Sequence, residues 1–231
     1  MNKNGYKTAF ALLTAFCGGV AEAYSYAFRG GVFANMQTGN FMKVALGIID
    51  GEVLWQNLLP MVSFLLGLLI MRVISKCRKR KLSAKASEEE PFSDGFAVYV
   101  GLLINVVLIV AAALCPETFA FGILSNCLLS TACAIQFENT SEVGGLPYTS
   151  IMCTNNLRLF AENLTDGFFG EKSFGKALFY ALVIITFLFG ACVCYVLTKI
   201  VGKYAVSISV VLYFVGIIVY RALIENEDDN N

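Results

Sequence analysis

The chain has 231 residues, of which 57% are hydrophobic and only 15% charged, and its mean hydropathy is +0.68. Seventeen basic residues balance seventeen acidic ones, and histidine is absent. These figures exclude an ordinary soluble globule, a globally basic nucleic-acid binder and a histidine-based catalytic or zinc site, and make lipid the expected solvent.

A bilayer-crossing helix needs about 20 mostly apolar residues, and six segments qualify, at about 8–28, 54–74, 95–114, 118–137, 174–198 and 204–223. The first follows Lys3 and Lys7 and contains Ala21-Glu22-Ala23, which imitates a signal-peptide cleavage site. Its apolar character continues to Phe28, so a retained span is expected. Within it Thr14, Gly18, Glu22, Ser25 and Arg29 fall on one helical stripe. Beside them Ala11, Ala15, Gly19, Ala23 and Ala27 form a ladder of small residues that lets a second helix approach closely. Glu22 lies about 6 Å to the outer side of the span's middle at 1.5 Å per residue. A carboxylate there costs a few kcal/mol unless it faces protein, finds a partner or takes up a proton.

Residues 30–49 follow, mixing apolar side chains with glycine, threonine and asparagine. They are too polar for a lipid-facing span and too apolar for a plain loop, which leaves re-entrant or broken helices, or interfacial ones. After the second span comes a hydrophilic loop, 75–93, flanked by or containing Arg72, Lys76, Arg78, Lys79, Arg80, Lys81 and Lys85. Seven of the seventeen basic residues at one loop make it cytoplasmic under the positive-inside rule, with the N-terminus and the acidic C-terminal tail on the same side. Lys199 and Lys203 then fall outside, a small opposing signal. The basic cluster is also suited to anionic lipid. Asn105, Ser125, Asn126, Ser130 and Thr131 in the third and fourth spans are expected to hydrogen-bond between helices. A second mixed segment, 143–163, precedes the last two spans. The eight cysteines lie mostly in apolar stretches and read as small reduced hydrophobes.

Met-x-Thr-x-Asn occurs at Met36, Thr38, Asn40 and again at Met152, Thr154, Asn156, 116 residues apart, each copy preceded by a glycine pair, Gly30-Gly31 and Gly144-Gly145. Each half reads as one span, a polar segment and two more spans, giving a first repeat of 1–115 and a second of 116–231. Three spans per half is an odd number, so the halves would enter the membrane from opposite sides, as inverted repeats. The expected fold is an all-α polytopic membrane protein of about six helices. Counting back from the glycine pairs, Glu22 corresponds to Gln136, an acid facing an amide. The candidate substrate or ion site comprises Glu22, Asn35, Gln37, Thr38 and Asn40 from the first half and Gln136, Thr154, Asn155 and Asn156 from the second. Neutral amides and hydroxyls can replace water around a solute, and equally can cap a broken helix.

The string Gly18-Gly19-Val20-Ala21-Glu22-Ala23-Tyr24, with Arg29-Gly30-Gly31-Val32-Phe33-Ala34-Asn35 and Gln37-Thr38-Gly39-Asn40, resembles the N-terminal signature of the YoaK-like family of bacterial membrane proteins, a domain of unknown function. That family has an aspartate where this chain has Glu22, which keeps the acid. The second half is a looser match at Gln136, Gly145-Leu146-Pro147 and Thr149 to Thr154, with Phe137 and Asn155 departing from the pattern. The resemblance implies a six- or seven-span bacterial inner-membrane protein and brings no activity.

Transport of a small solute or ion is the expected function, since polar residues concentrate at matched places in two halves. The alternative is a non-transporting accessory or assembly protein acting through helix packing and its basic loop. No enzyme is expected, for want of a nucleophile and base constellation, and neither a cofactor nor a metal is implied. The expected partners are the bilayer, anionic lipid at 75–93 and a small solute or ion, with a homo-oligomer left open and nucleic acid excluded.

Overall fold

A computed structural model describes residues 3–83, 95–140, 142–143 and 145–228. It is all-α apart from one short ladder. The elements are α1 (Lys3–Phe28), α2 (Gln37–Ile49), α3 (Trp55–Ser83), α4 (Gly95–Leu114), α5 (Phe119–Asn139), β1 (Glu142–Val143), β2 (Leu146–Pro147), α6 (Cys153–Phe168), α7 (Phe174–Val201) and α8 (Ile208–Asp228), with a 3-10 turn at Gly202–Ser207 between the last two. Antiparallel β1 and β2 form a minimal hairpin. Among the described residues four stretches are long and apolar enough to cross a membrane: Trp55–Cys77, Ala97–Leu114, Phe119–Asn139 and Phe174–Arg221, the last comprising α7 and most of α8. The first helix is not in that set, because its polar stripe dilutes its hydropathy.

Residue pairs give the direction of each helix. Phe10 stacks near Tyr220, and Tyr99 near the same ring; Arg72 pairs with Glu138 at 2.6 Å; Tyr148 touches both Thr14 and Phe179. The beginnings of α1, α4 and α7 therefore share one end of the bundle with the ends of α3, α5 and α8. At the other end Arg29 meets the carbonyls of Ala112, Cys115 and Pro116, and Tyr24 donates to Lys203 O. The N-terminus and the basic end of α3 thus lie together. The hydrophilic stretch expected as a loop from residue 75 is helical as far as Ser83, since lysine and arginine are good helix formers and their heads can remain in water; residues 84–93 of that loop lie outside the described residues. The end of the acidic tail, 229–231, does too.

Packing crosses the two halves of the sequence. The first helix packs on α7 and α8, and α5 packs on α3 and α4, while α1 meets α5 and α4 meets α8. The small-residue ladder explains the first contact: Ala11 and Ala15 are fully buried against Phe179, Tyr180 and Val183. Higher up, a Cβ on Gly19 would overlap Phe187 O, and one on Gly190 would overlap Phe16 O. At the matching crossing a Cβ on Gly67 would come within 2.8 Å of Ala134 Cβ and 2.9 Å of Thr131 O. In an apolar solvent such backbone proximity supplies the dispersion contacts that hold helices together. Cys192 is exposed and Cys194 buried, opposite faces of α7, and all eight cysteines are free thiols.

Candidate functional site

Both mixed segments are broken structures, each an extended stretch leading into a short helix. At the end of α1, Gly30 and Gly31 take φ of +92° and +74°, a region glycine enters without a Cβ penalty. The N–H of Gly31 donates to Tyr26 O at 2.9 Å and closes the helix. The chain then turns back along α1: Asn35 Nδ2 donates to Gly18 O at 2.9 Å and Asn35 N–H to Glu22 Oε2 at 2.7 Å. Arg29 and Gly18 are about 16 Å apart along the helix at 1.5 Å per residue, so residues 30–35 re-enter the bundle by roughly half a bilayer core.

The second segment does the same from the other end. After α5 and the β1–β2 hairpin, Tyr148 lies buried with its hydroxyl 3.1 Å from Thr14 Oγ1. Ser150 O and Ile151 then press on Gly18, where a Cβ would overlap Ser150 O. The two polar segments thus converge on Gly18 from opposite ends of α1. Irregular backbone is tolerable within protein, and here Val32 O, Phe33 N–H and O, Asn35 N–H and Thr149 N–H and O find side-chain partners.

One device fixes both segments. Asn40 and Asn156 each occupy the fourth position of a short helix. Asn40 Oδ1 accepts from Phe33 N–H at 3.1 Å, and its Nδ2 donates to Phe33 O at 2.7 Å. Asn156 Oδ1 accepts from Thr149 N–H at 3.0 Å, and its Nδ2 donates to Thr149 O at 2.6 Å. Each asparagine pairs with the backbone seven residues earlier as a neighbouring strand would, so the sequence repeat is a structural repeat at this clamp. Asn57 also donates to Asn40 Oδ1, at 3.1 Å.

The two segments differ at the helix they face. In the second half Gln136 is saturated: its Nε2 donates to Thr14 O at 2.8 Å and Ser150 Oγ at 2.9 Å, and its Oε1 accepts from Tyr213 OH. Thr140 Oγ1 continues this chain, 2.6 Å from Ser150 Oγ. In the first half Glu22 is 8% exposed and accepts from Asn35 N–H through Oε2, and the N–H dipoles of Met36 and Ala34 at the entrance of α2 act on the same carboxylate. Among the described residues its Oε1 is buried with no hydrogen-bond partner, as is Asn35 Oδ1. Asn105 Oδ1, Ser130 Oγ and Ser209 Oγ share that condition. Buried polar atoms without partners are uncommon in native structures.

Of the expected site residues, Glu22, Asn35 and Gln136 line this region around Gly18. Asn40 and Asn156 brace the segments, and Gln37 supports the first brace, donating to Ala34 O and accepting from Asn40. Thr38 and Thr154 are exposed on the outer faces of the short helices and are not brought to it, and Asn155, also exposed, instead donates to Thr149 Oγ1 at 3.3 Å. Tyr213, Tyr148 and Thr140 join the hydrogen-bonded region although no local pattern marks them; each is recruited by packing of distant helices.

Above the region, Ser25 Oγ lies 2.8 Å from both Val32 O and Asn126 Oδ1, and Asn126 Nδ2 donates to Arg29 O. Asn126 and Arg29 line a cavity of about 270 Å³, together with Gln56, Glu117 and Thr118. The guanidinium of Arg29 donates to Tyr24 OH and to carbonyls at the end of α4, where a cation is favoured by the helix dipole.

Together the apolar helices and the buried polar seam define the class, an all-helical protein of membrane character with a polar interior. The chain belongs to the family described as "Protein of unknown function (DUF1275)", which it matches over residues 10–219. No curated protein and no solved structure matches it.

Proposed function

We propose that the protein is a multi-pass membrane transporter or channel for a small solute or ion, with its site near the midplane between two inverted repeats, 1–115 and 116–231. The observation that carries this reading is the convergence of two re-entering polar segments on Gly18, beside a buried carboxylate oxygen that has no hydrogen-bond partner among the described residues. A protein that only assembles others has no use for an incomplete polar site at this depth, whereas a site that binds and releases a solute must leave coordination open. Two further features support the inversion. Ser25 bonds Asn126 while Thr14 bonds Gln136, so the corresponding helices α1 and α5 run antiparallel. The short helices begin deep and return outward, the arrangement of discontinuous helices in transporters with inverted repeats. With the basic end of α3 in the cytoplasm, both termini are cytoplasmic and the Arg29 cavity is the outer vestibule.

The test is swelling of proteoliposomes in iso-osmotic urea, glycerol, mixed amino acids and alkali chlorides, followed by light scattering. At least one probe is expected to enter faster than into protein-free vesicles, and Asn35→Ala is expected to slow it on the order of tenfold, the rate equivalent of about 1.4 kcal/mol. Influx equal to that of protein-free vesicles for every probe would overturn the reading in favour of an accessory protein.

A further inference from the structure

The two short helices re-enter alike but turn different surfaces outward. On α2 every exposed side chain after Thr38 and before the helix ends is apolar, Phe41, Met42, Leu46, Ile48 and Ile49 being the large ones. That is a surface for lipid tails. On α6 the exposed residues include Asn155, Arg158, Glu162 and Thr165, whose spacing of i, i+3, i+7 and i+10 makes one stripe. Arg158 and Glu162 pair with each other at 2.8 Å, and their side chains are 70% and 48% exposed.

The depth of this stripe is fixed at both ends of α6. Ile151, just before the helix, lies against Gly18, and Phe168 at its end meets Phe174, the first residue of α7, edge to face. The helix therefore runs from the middle of the bundle to the end that holds the basic part of α3. The ten residues from Asn155 to Thr165 rise about 15 Å, half of a hydrocarbon core of about 30 Å. Charged and amide groups turned to lipid over that depth are costly. Among the described elements α6 packs on α7 alone, so no other described element covers the stripe.

The stripe is complementary to itself. A two-fold axis along the membrane normal sets a second α6 beside the first, parallel and at the same height. Arg158 of each copy then lies one turn from Glu162 of the other, as the flanking charges of parallel coiled coils do. Asn155 meets its own counterpart with an amide that both donates and accepts, since its bond to Thr149 Oγ1 uses a single hydrogen. Ala161, exposed between Arg158 and Glu162 in sequence, is small enough to let the helices approach.

We propose that the protein is a homodimer joined through the outer face of α6, in which the ion pair within each helix becomes two ion pairs between copies. The proposal rests on the depth of α6 in the membrane and not on transport.

The test uses the full chain co-expressed with two different affinity tags and solubilised in mild detergent. Wild-type copies are expected to co-purify. Arg158→Glu in both copies, or Glu162→Arg in both, sets like charges across the axis and is expected to weaken association on the order of tenfold, the equivalent of about 1.4 kcal/mol. Copies carrying Arg158→Glu mixed with copies carrying Glu162→Arg are expected to recover the wild-type yield, because an acidic stripe then faces a basic one. In intact membranes, with the exposed Cys77 and Cys192 replaced by serine, Asn155→Cys is expected to oxidise to a product of twice the chain mass and Leu46→Cys on α2 is not. Wild-type copies that purify apart, single-charge variants that associate like the wild type, or a monodisperse mixed pair that stays apart would each overturn the proposal. A cross-linked product of any other mass would overturn it in favour of a different protein on the same face. Should the charge variants fail to fold, the Asn155→Cys cross-link decides the matter. A dimer with tight vesicles in every influx assay would remove transport and leave the interface in place.

Discussion

The two re-entering segments are built alike and finished differently. Asn40 and Asn156 clamp them with the same pair of hydrogen bonds, and a positive-φ glycine, Gly51 or Gly170, follows each short helix. Yet Gln136 satisfies its whole amide group within the protein, whereas Glu22 and Asn35 each retain a buried oxygen without a partner. A scaffold needs both halves; chemistry needs only one. The second half is the fully hydrogen-bonded counterpart of the first half's unpartnered acceptors.

Breaking the shared scaffold should have the largest effect. Gly19→Leu drives a side chain into the backbone at Phe187, and Gly67→Leu does so at Thr131; both are expected to abolish monodisperse folded protein in size-exclusion chromatography. Loss of either clamp comes next. Asn40→Ala and Asn156→Ala each delete the pair of clamp bonds to backbone, the first together with bonds to Gln37 and Asn57 and the second with a bond to Met152 O, and since buried hydrogen bonds in membrane bundles average about 0.6 and reach about 1.7 kcal/mol, each variant should lose about 1–3 kcal/mol in reversible unfolding. Similar losses are expected from both; a clear loss from one alone would show that the halves are not equivalent scaffolds.

Smaller effects sharpen the contrast between the halves. Gln136→Ala removes three partners and should cost about 1–3 kcal/mol, while Glu22→Gln should change stability by less than about 1 kcal/mol, because the amide oxygen can still accept from Asn35 N–H. If Glu22→Gln destabilises as much as Gln136→Ala, the acid is a structural element and the asymmetry vanishes. Thr38→Ala and Thr154→Ala, at exposed positions, should lie within about 0.5 kcal/mol of the wild type.

Much of this arrangement is legible in the sequence, and the limits are instructive. The stripe Thr14, Gly18, Glu22, Ser25 and Arg29 is buried and the ladder from Ala11 to Gly19 meets α7, because a helix converts spacing into facing reliably. The repeated Met-x-Thr-x-Asn marks the broken segments correctly, but not which of its members turn inward. Only Met36 and Met152 precede the helices; Thr38 and Asn40, like Thr154 and Asn156, lie two apart within them and so point about 200° apart, but the sequence does not mark where the helices begin or which face meets the chain: Asn40 and Asn156 face it, while Thr38 and Thr154 face out. Tyr213 reaches Gln136 across 77 residues of sequence, and a phenol in an apolar helix carries no local sign of such a partner. The meeting of Asn35 and Ser150 at Gly18 likewise depends on how far each segment re-enters, which only the folded chain determines.

The opposed entry of the two halves is tested most directly at the turns that end the short helices. Glu52 and Glu171 are exposed in these turns, and Glu52→Cys and Glu171→Cys can be made with the exposed Cys77 and Cys192 replaced by serine. With a membrane-impermeant maleimide applied to intact cells and then to inverted vesicles, Glu52→Cys should react only from outside and Glu171→Cys only from the cytoplasmic side. Reaction of both from one side would contradict the inverted arrangement, and with it a site shared between the halves.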